Sequence, residues 1–146
     1  MSDDRIGHFV TQIVLDRLGG RQDVVGKELS VSGLKLVEEM LGFDEVIIID
    51  SYTDDERTPG RIRKFAPADF ADTLHPVAPH GINFTTALEF YRKLDPEKIP
   101  RKVQIYTIDI DSEIGFGEEL SPAVEKAGRE LAELILRELA TTQSGE

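Results

Sequence analysis

The sequence predicts an α/β protein, a three-layer α/β/α sandwich around a mostly parallel twisted sheet. Three observations carry this. The run Val46-Ile47-Ile48-Ile49-Asp50 sets four branched apolar residues in succession, as in a strand buried on both faces of a parallel sheet. Segments with apolar residues at helical spacing alternate with strand-like runs along the chain. The 146 residues are 40% hydrophobic, which predicts one globular domain over residues 1–140, with 141–146 as a flexible tail.

Taken in order, Ile6, Phe9, Val10, Ile13, Val14 and Leu18 fall at helical spacing, and Gly19-Gly20 stops that helix. Val24 to Val31 is expected as a strand, with Gly26 as a bulge. Ser32 is placed to cap a second helix carrying Leu34, Leu36, Val37, Met40 and Leu41, which Gly42 ends. Glu45 to Asp50 is the strongest strand. Asp54-Asp55-Glu56-Arg57-Thr58-Pro59-Gly60 is a polar turn. Arg61 to Phe65 is a shorter strand, and Pro67 to Asp72 one helical turn. Thr73 to Gly81 holds two prolines and two histidines and is expected as a loop. Asn83 then caps a helix carrying Phe84, Ala87, Leu88, Tyr91 and Leu94. Lys102 to Asp111 alternates as a last strand. Ser121-Pro122 opens a final amphipathic helix, with serine as cap and proline at the first position. A sheet of this class normally begins with a strand. Here a helix starts almost at Met1, so the first strand is expected to be missing from the given N-terminus.

Composition narrows the function. The net charge of −11 repels phosphate, which disfavours nucleic acid and anionic membrane as partners. There is no cysteine, which excludes disulfides and thiolate sites and suits a cytoplasmic protein. No apolar stretch approaches a membrane span, and Met1-Ser2-Asp3-Asp4-Arg5 has no signal-peptide pattern. No helix is apolar all round, so a monomer is expected. Gly115-Phe116-Gly117 lacks the spacing of a dinucleotide fingerprint, and no serine sits in a nucleophile elbow.

The chemistry-bearing candidates are Asp4, Asp50 and His80. Asp50 ends the strongest apolar run, and in open α/β folds ligands bind at the carboxyl ends of strands. Two carboxylates and one imidazole form a ligand set for a divalent metal. Each residue also has a plainer role open to it. Asp4 can cap the first helix, worth about 1 kcal/mol. Asp50 can start a turn. His80 can bond a backbone group, although a following helix start disfavours imidazolium and leaves it neutral for a metal. His8, beside Phe9, reads as structural, and His75 either supports the site or is exposed. Arg61, Arg63 and Lys64 read as charge on an edge strand that discourages aggregation.

The chain resembles the hydrogenase maturation endopeptidases, which process the large subunit of nickel–iron hydrogenases. Ser2-Asp3-Asp4-Arg5-Ile6-Gly7 resembles the second half of the family's first motif, and Val46 to Asp50 its strand ending in aspartate. Pro59-Gly60 matches a turn, Ala78-Pro79-His80-Gly81 resembles its histidine loop, and Gly117-Glu118-Glu119-Leu120-Ser121-Pro122 the opening of its last helix. The resemblance runs from Ser2 to about Leu139. Two departures stand out. The family's first strand and glycine-asparagine turn do not precede Met1, and Glu28-Leu29-Ser30-Val31-Ser32-Gly33 stands where many members carry Asp-Gly-Gly-Thr.

The resemblance implies an endopeptidase that removes a C-terminal extension from a hydrogenase large-subunit precursor after nickel insertion. It implies Asp4, Asp50 and His80 as ligands of a nickel supplied by the substrate, Asp50 and Asp4 as the catalytic carboxylates, and no organic cofactor. The donor set does not itself choose nickel, since zinc or manganese also fits. Two other readings stay open at this point. One is a receiver-like phosphoacceptor domain, although Asp109-Ile110-Asp111-Ser112-Glu113 lacks the lysine it needs. The other is a non-catalytic relative that binds precursor or nickel.

Overall fold

A computed structural model of the chain describes residues 5–29, 33–52, 58–68, 78–110 and 120–144, with the backbone alone for 78–83 and 142–144. Its elements are α1 (Ile6–Leu18), α2 (Leu34–Met40), β1 (Glu45–Tyr52), β2 (Ile62–Phe65), α3 (Ala78–Leu94), β3 (Lys102–Asp109) and α4 (Pro122–Ser144). Among the described residues the sheet has three strands in the order β1-β3-β2.

The sheet is mixed, which corrects the expectation of a mostly parallel one. β1 and β3 advance together: the Asp44 carbonyl accepts from the Arg101 N–H at 2.8 Å, and the Tyr52 carbonyl from the Ile110 N–H at 2.8 Å. β2 runs the other way. The Gly60 N–H donates to the Asp109 carbonyl at 2.8 Å, and the Asp109 N–H donates to the Arg61 carbonyl at 2.9 Å. One residue of β3 thus faces two of the approaching chain, with Gly60 at φ 90°, the geometry of a glycine bulge. The reason is chain length. Nine residues separate Tyr52 from Ile62, whereas a parallel crossover takes a dozen or more. The chain therefore returns antiparallel on the far side of β3.

Strand order also corrects the burial expected of Val46 to Ile49. Among the described residues β1 lies at an edge of the sheet and these four residues are half-buried, while the central strand is buried continuously from Gln104 to Ile110. No strand forms over residues 24–29, and 30–32 lie outside the described residues. Gly26 instead lies against α1, where an added Cβ would meet Leu15 Cδ1 at 2.7 Å and Thr11 Cγ2 at 2.8 Å. Ala78 to Gly81, expected as loop, forms the start of α3, and Asn83 lies inside that helix rather than capping it. Pro79 is tolerated there because the first-turn N–H groups have no intrahelical acceptor.

The chain forms two compact units: Met1–Glu28, Ile49–Arg63 and Thr107–Glu146 in the first, Leu29–Ile48 and Lys64–Tyr106 in the second. In the first, α1 packs on α4. Ile6, Val10 and Val14 are buried on one side, and Val124, Ala127, Leu131 and Ile135 on the other. Gly128 permits this approach, since a Cβ there would stand 2.9 Å from Ile6 Cδ1 and from two ring carbons of Phe9. As predicted, α1 ends at a left-handed Gly19 (φ 62°), and the Ser121 carbonyl accepts from the Glu125 N–H at 2.8 Å as α4 begins. In the second unit, α2 packs on α3. Val37, Met40, Phe84, Ala87, Leu88 and Ile105 form its core. Burial of each of the larger of these side chains, from valine up to phenylalanine, contributes about 1.5–3 kcal/mol.

Candidate functional site

The first unit sets the start of α1 against the end of β1. Gly7 carries no side chain where it meets the strand, and a Cβ there would lie 2.8 Å from the Ile49 carbonyl oxygen. That carbonyl belongs to the residue before Asp50. A helix can approach a strand backbone this closely only through glycine. The first helical turn is thereby tied to the peptide that carries the Asp50 carboxylate.

Asp50 is exposed, and β1 continues two residues past it to Tyr52. Its Oδ1 accepts from the Ser51 N–H at 2.8 Å. That bond orients the carboxylate without ending the strand, so Asp50 does not simply open a turn. Asp4 lies outside the described residues. The N-cap position of α1 falls on Arg5, which makes no side-chain cap bond. The backbone of His80 lies in the first turn of α3, within the second unit. The side chain of Asp50 is therefore the described member of the predicted set. Among the described residues no cluster of three or more histidine, cysteine, aspartate or glutamate side chains could hold a metal.

Of the other candidates, His75 and Gly115-Phe116-Gly117 lie outside the described residues. His8 Nδ1 stands 3.2 Å from Glu28 Oε2, with both side chains well exposed.

One cluster in the first unit escaped the sequence reading. Arg63 Nη2 donates to Asp109 Oδ2 at 3.1 Å, and the guanidinium carbon stands 4.8 Å from the centroid of the Tyr52 ring. The Asp109 side chain is 2% exposed and that of Arg63 is 19% exposed. Arg63 is thus folded inward rather than displayed to discourage aggregation. A signal was present: Asp109 lies between Ile108 and Ile110 in a buried strand, and a buried carboxylate requires a cationic partner.

The sequence pattern of the hydrogenase maturation protease family matches residues 30–138, a span that includes Asp50 and His80. No curated protein is detectably similar in sequence. Solved structures are similar over nearly the whole chain. The hydrogenase-maturating endopeptidase HybD from E. coli superposes with a TM-score of 0.64 at 20% identity, covering 97% of this chain and 86% of HybD. The [NiFe] hydrogenase maturation protease HybD from Thermococcus kodakarensis gives 0.66 at 24% identity, covering 96% and 91%. The hydrogenase 2 maturation peptidase from a Thaumarchaeota archaeon gives 0.58 at 23% identity, covering 95% and 90%. The chain belongs to the hydrogenase maturation protease family and is a peptidase of that class. Membership sets aside the phosphoacceptor alternative. Among the described residues no helix is long and apolar enough to cross a membrane.

Proposed function

We propose that this member of the family removes a C-terminal extension from the large-subunit precursor of a nickel–iron hydrogenase, and that it acts once nickel has been inserted. The observation that carries the reading is the family match over residues 30–138. The relatives described above are themselves hydrogenase maturation proteases.

In this reading Asp4, Asp50 and His80 ligate the nickel that the precursor brings with it. Two carboxylates and an imidazole are hard and borderline donors that suit a divalent first-row ion. Three protein donors leave coordination positions for the precursor's own ligands, so a loaded precursor is distinguished from an empty one by completion of the metal's shell. The approach of Gly7 to the Ile49 carbonyl supports the pairing of the first motif with Asp50.

Asp50 has a second task. A carboxylate within one water of the scissile carbonyl accepts the proton of the attacking water. The alternative route is Lewis-acid chemistry, in which nickel held by Asp4, Asp50 and His80 would polarise that carbonyl. The Ser51 N–H bond holds the Asp50 carboxylate in one orientation for this role. Asp4 acts as the partner carboxylate. The enzyme is expected to work as a monomer, in the cytoplasm and without an organic cofactor.

The test uses purified precursor in nickel-loaded and nickel-free forms, followed by intact-mass measurement. Trimming of the loaded form alone is the expected result. Equal trimming of both forms would overturn nickel recognition, and trimming of neither would overturn the activity.

A further inference from the structure

We propose that Arg63 is a positioning residue for Asp50, acting across the carboxyl ends of β1 and β3. The inference rests on the proposed role of Asp50 in trimming. Arg63 lies on β2, Asp109 is the last residue of β3, and Tyr52 is the last residue of β1. Strand order places β3 between the other two. The Arg63 side chain therefore starts at one edge of the sheet, bonds the carboxylate of the middle strand at 3.1 Å, and lies 4.8 Å from the ring centroid on the opposite edge strand. Adjacent strands are about 4.8 Å apart, so one side chain ties together strands separated by about 10 Å.

Each link of this clamp lies largely out of water. The bond to Asp109 is charge-assisted and screened from water, since that carboxylate is 2% exposed. The Tyr52 ring is buried too, which strengthens attraction between guanidinium and ring. Side chains two apart on a strand share a face, so Tyr52 and Asp50 point to the same side of β1. Fixing the Tyr52 ring against Arg63 fixes the strand two residues from the Asp50 carboxylate. A buried ion pair is a poor device for stability alone, because apolar side chains fill such a place as well or better. What it adds is direction, which a catalytic carboxylate on an edge strand requires.

The experiment measures kcat and KM for trimming of nickel-loaded precursor by the full chain, with thermal melts to set each assay well below unfolding. Arg63→Met is expected to lower kcat by about 10- to 100-fold, the cost of misplacing a reacting group by up to about 1 Å. KM should move less than about threefold, because the precursor's contacts are retained. Arg63→Lys keeps the charge and a donor for Asp109, and should recover most of kcat. Tyr52→Leu removes the stacked ring and leaves the ion pair, so it tests the same link in a chain with that pair intact. It should lower kcat by several-fold. Unchanged kcat per folded molecule in Arg63→Met or Tyr52→Leu, whatever the melting temperature, would overturn the positioning role. Should the unsubstituted chain fail to trim loaded precursor, the function proposed above falls and takes this inference with it. That failure is distinguished by the control alone.

Discussion

Replacing Gly7 by alanine tests whether the start of α1 is seated on β1 where trimming needs it. The new Cβ would stand 2.8 Å from the Ile49 carbonyl oxygen. Ordinary carbon–oxygen contacts begin near 3.3 Å, so helix or strand must give by about 0.5 Å. The obstacle is backbone in a strand and cannot rotate away. Two effects oppose each other. Alanine is favoured over glycine in a helix by about 1 kcal/mol. Overpacking costs about 1–3 kcal/mol, and an immovable neighbour puts this case in the upper part of that range. The net loss is about 1 kcal/mol, a fall in Tm of about 4 °C for a chain of this size. Trimming should suffer more. A displacement of about 0.5 Å beside Asp50 is expected to slow the reaction about 10-fold, given about 100-fold for 1 Å. Thermal melts and single-turnover trimming of nickel-loaded precursor, run well below the melting range, separate the two effects. A variant with normal or raised Tm and an unchanged trimming rate would show that helix propensity wins and that the contact does not matter.

Gly60→Ala should destabilise by about 2–3 kcal/mol in urea unfolding, since φ is 90° and the Cβ would meet the Ala123 carbonyl oxygen at 2.8 Å. An unchanged unfolding midpoint would contradict the bulge. Leu131→Ala, at a fully buried position on α4, should cost about 2–5 kcal/mol in the same assay, and under 1 kcal/mol would contradict the packing of α1 on α4. The Tyr91 hydroxyl is pushed above the ordinary phenol range, first by its 2.8 Å hydrogen bond to Glu38, then by desolvation and by the Glu38 charge. Its folded value is the raised one, so the contribution of this bond is intact below about pH 10 and lost as pH rises through the folded value. Alkaline titration followed by tyrosinate absorbance should show a late phase that Tyr91→Phe removes.

Much of this architecture was legible because it is local. The period of Ile6, Val10 and Val14 with Gly19 beyond marks α1, and Ser121-Pro122 marks the start of α4. What could not be read depends on neighbours distant in sequence. Val46 to Ile49 form a strand as expected, but strand order among the described residues sets them at an edge and gives continuous burial to β3 from Gln104 onward. The direction of β2 follows from the short chain before it and from the bulge at Gly60, neither of which alters the apolar pattern. Ala78-Pro79-His80-Gly81 reads as loop by propensity, yet proline and glycine are accommodated in the first turn of α3. For the site, Asp50 was legible from the run it follows. Asp109 between Ile108 and Ile110 signalled a buried carboxylate, but its partner Arg63 was not legible, because that pairing lies in a contact between β2 and β3.

The most direct measurement is the mass of the precursor's C-terminus after incubation of nickel-loaded precursor with the unsubstituted chain and with Asp50→Asn. Asparagine keeps the shape and an oxygen to accept from Ser51, and replaces the charged carboxylate with a neutral amide whose NH2 only donates. The unsubstituted chain should leave a shortened precursor, and Asp50→Asn should leave it at full length. A precursor trimmed normally by Asp50→Asn would contradict the role proposed for Asp50.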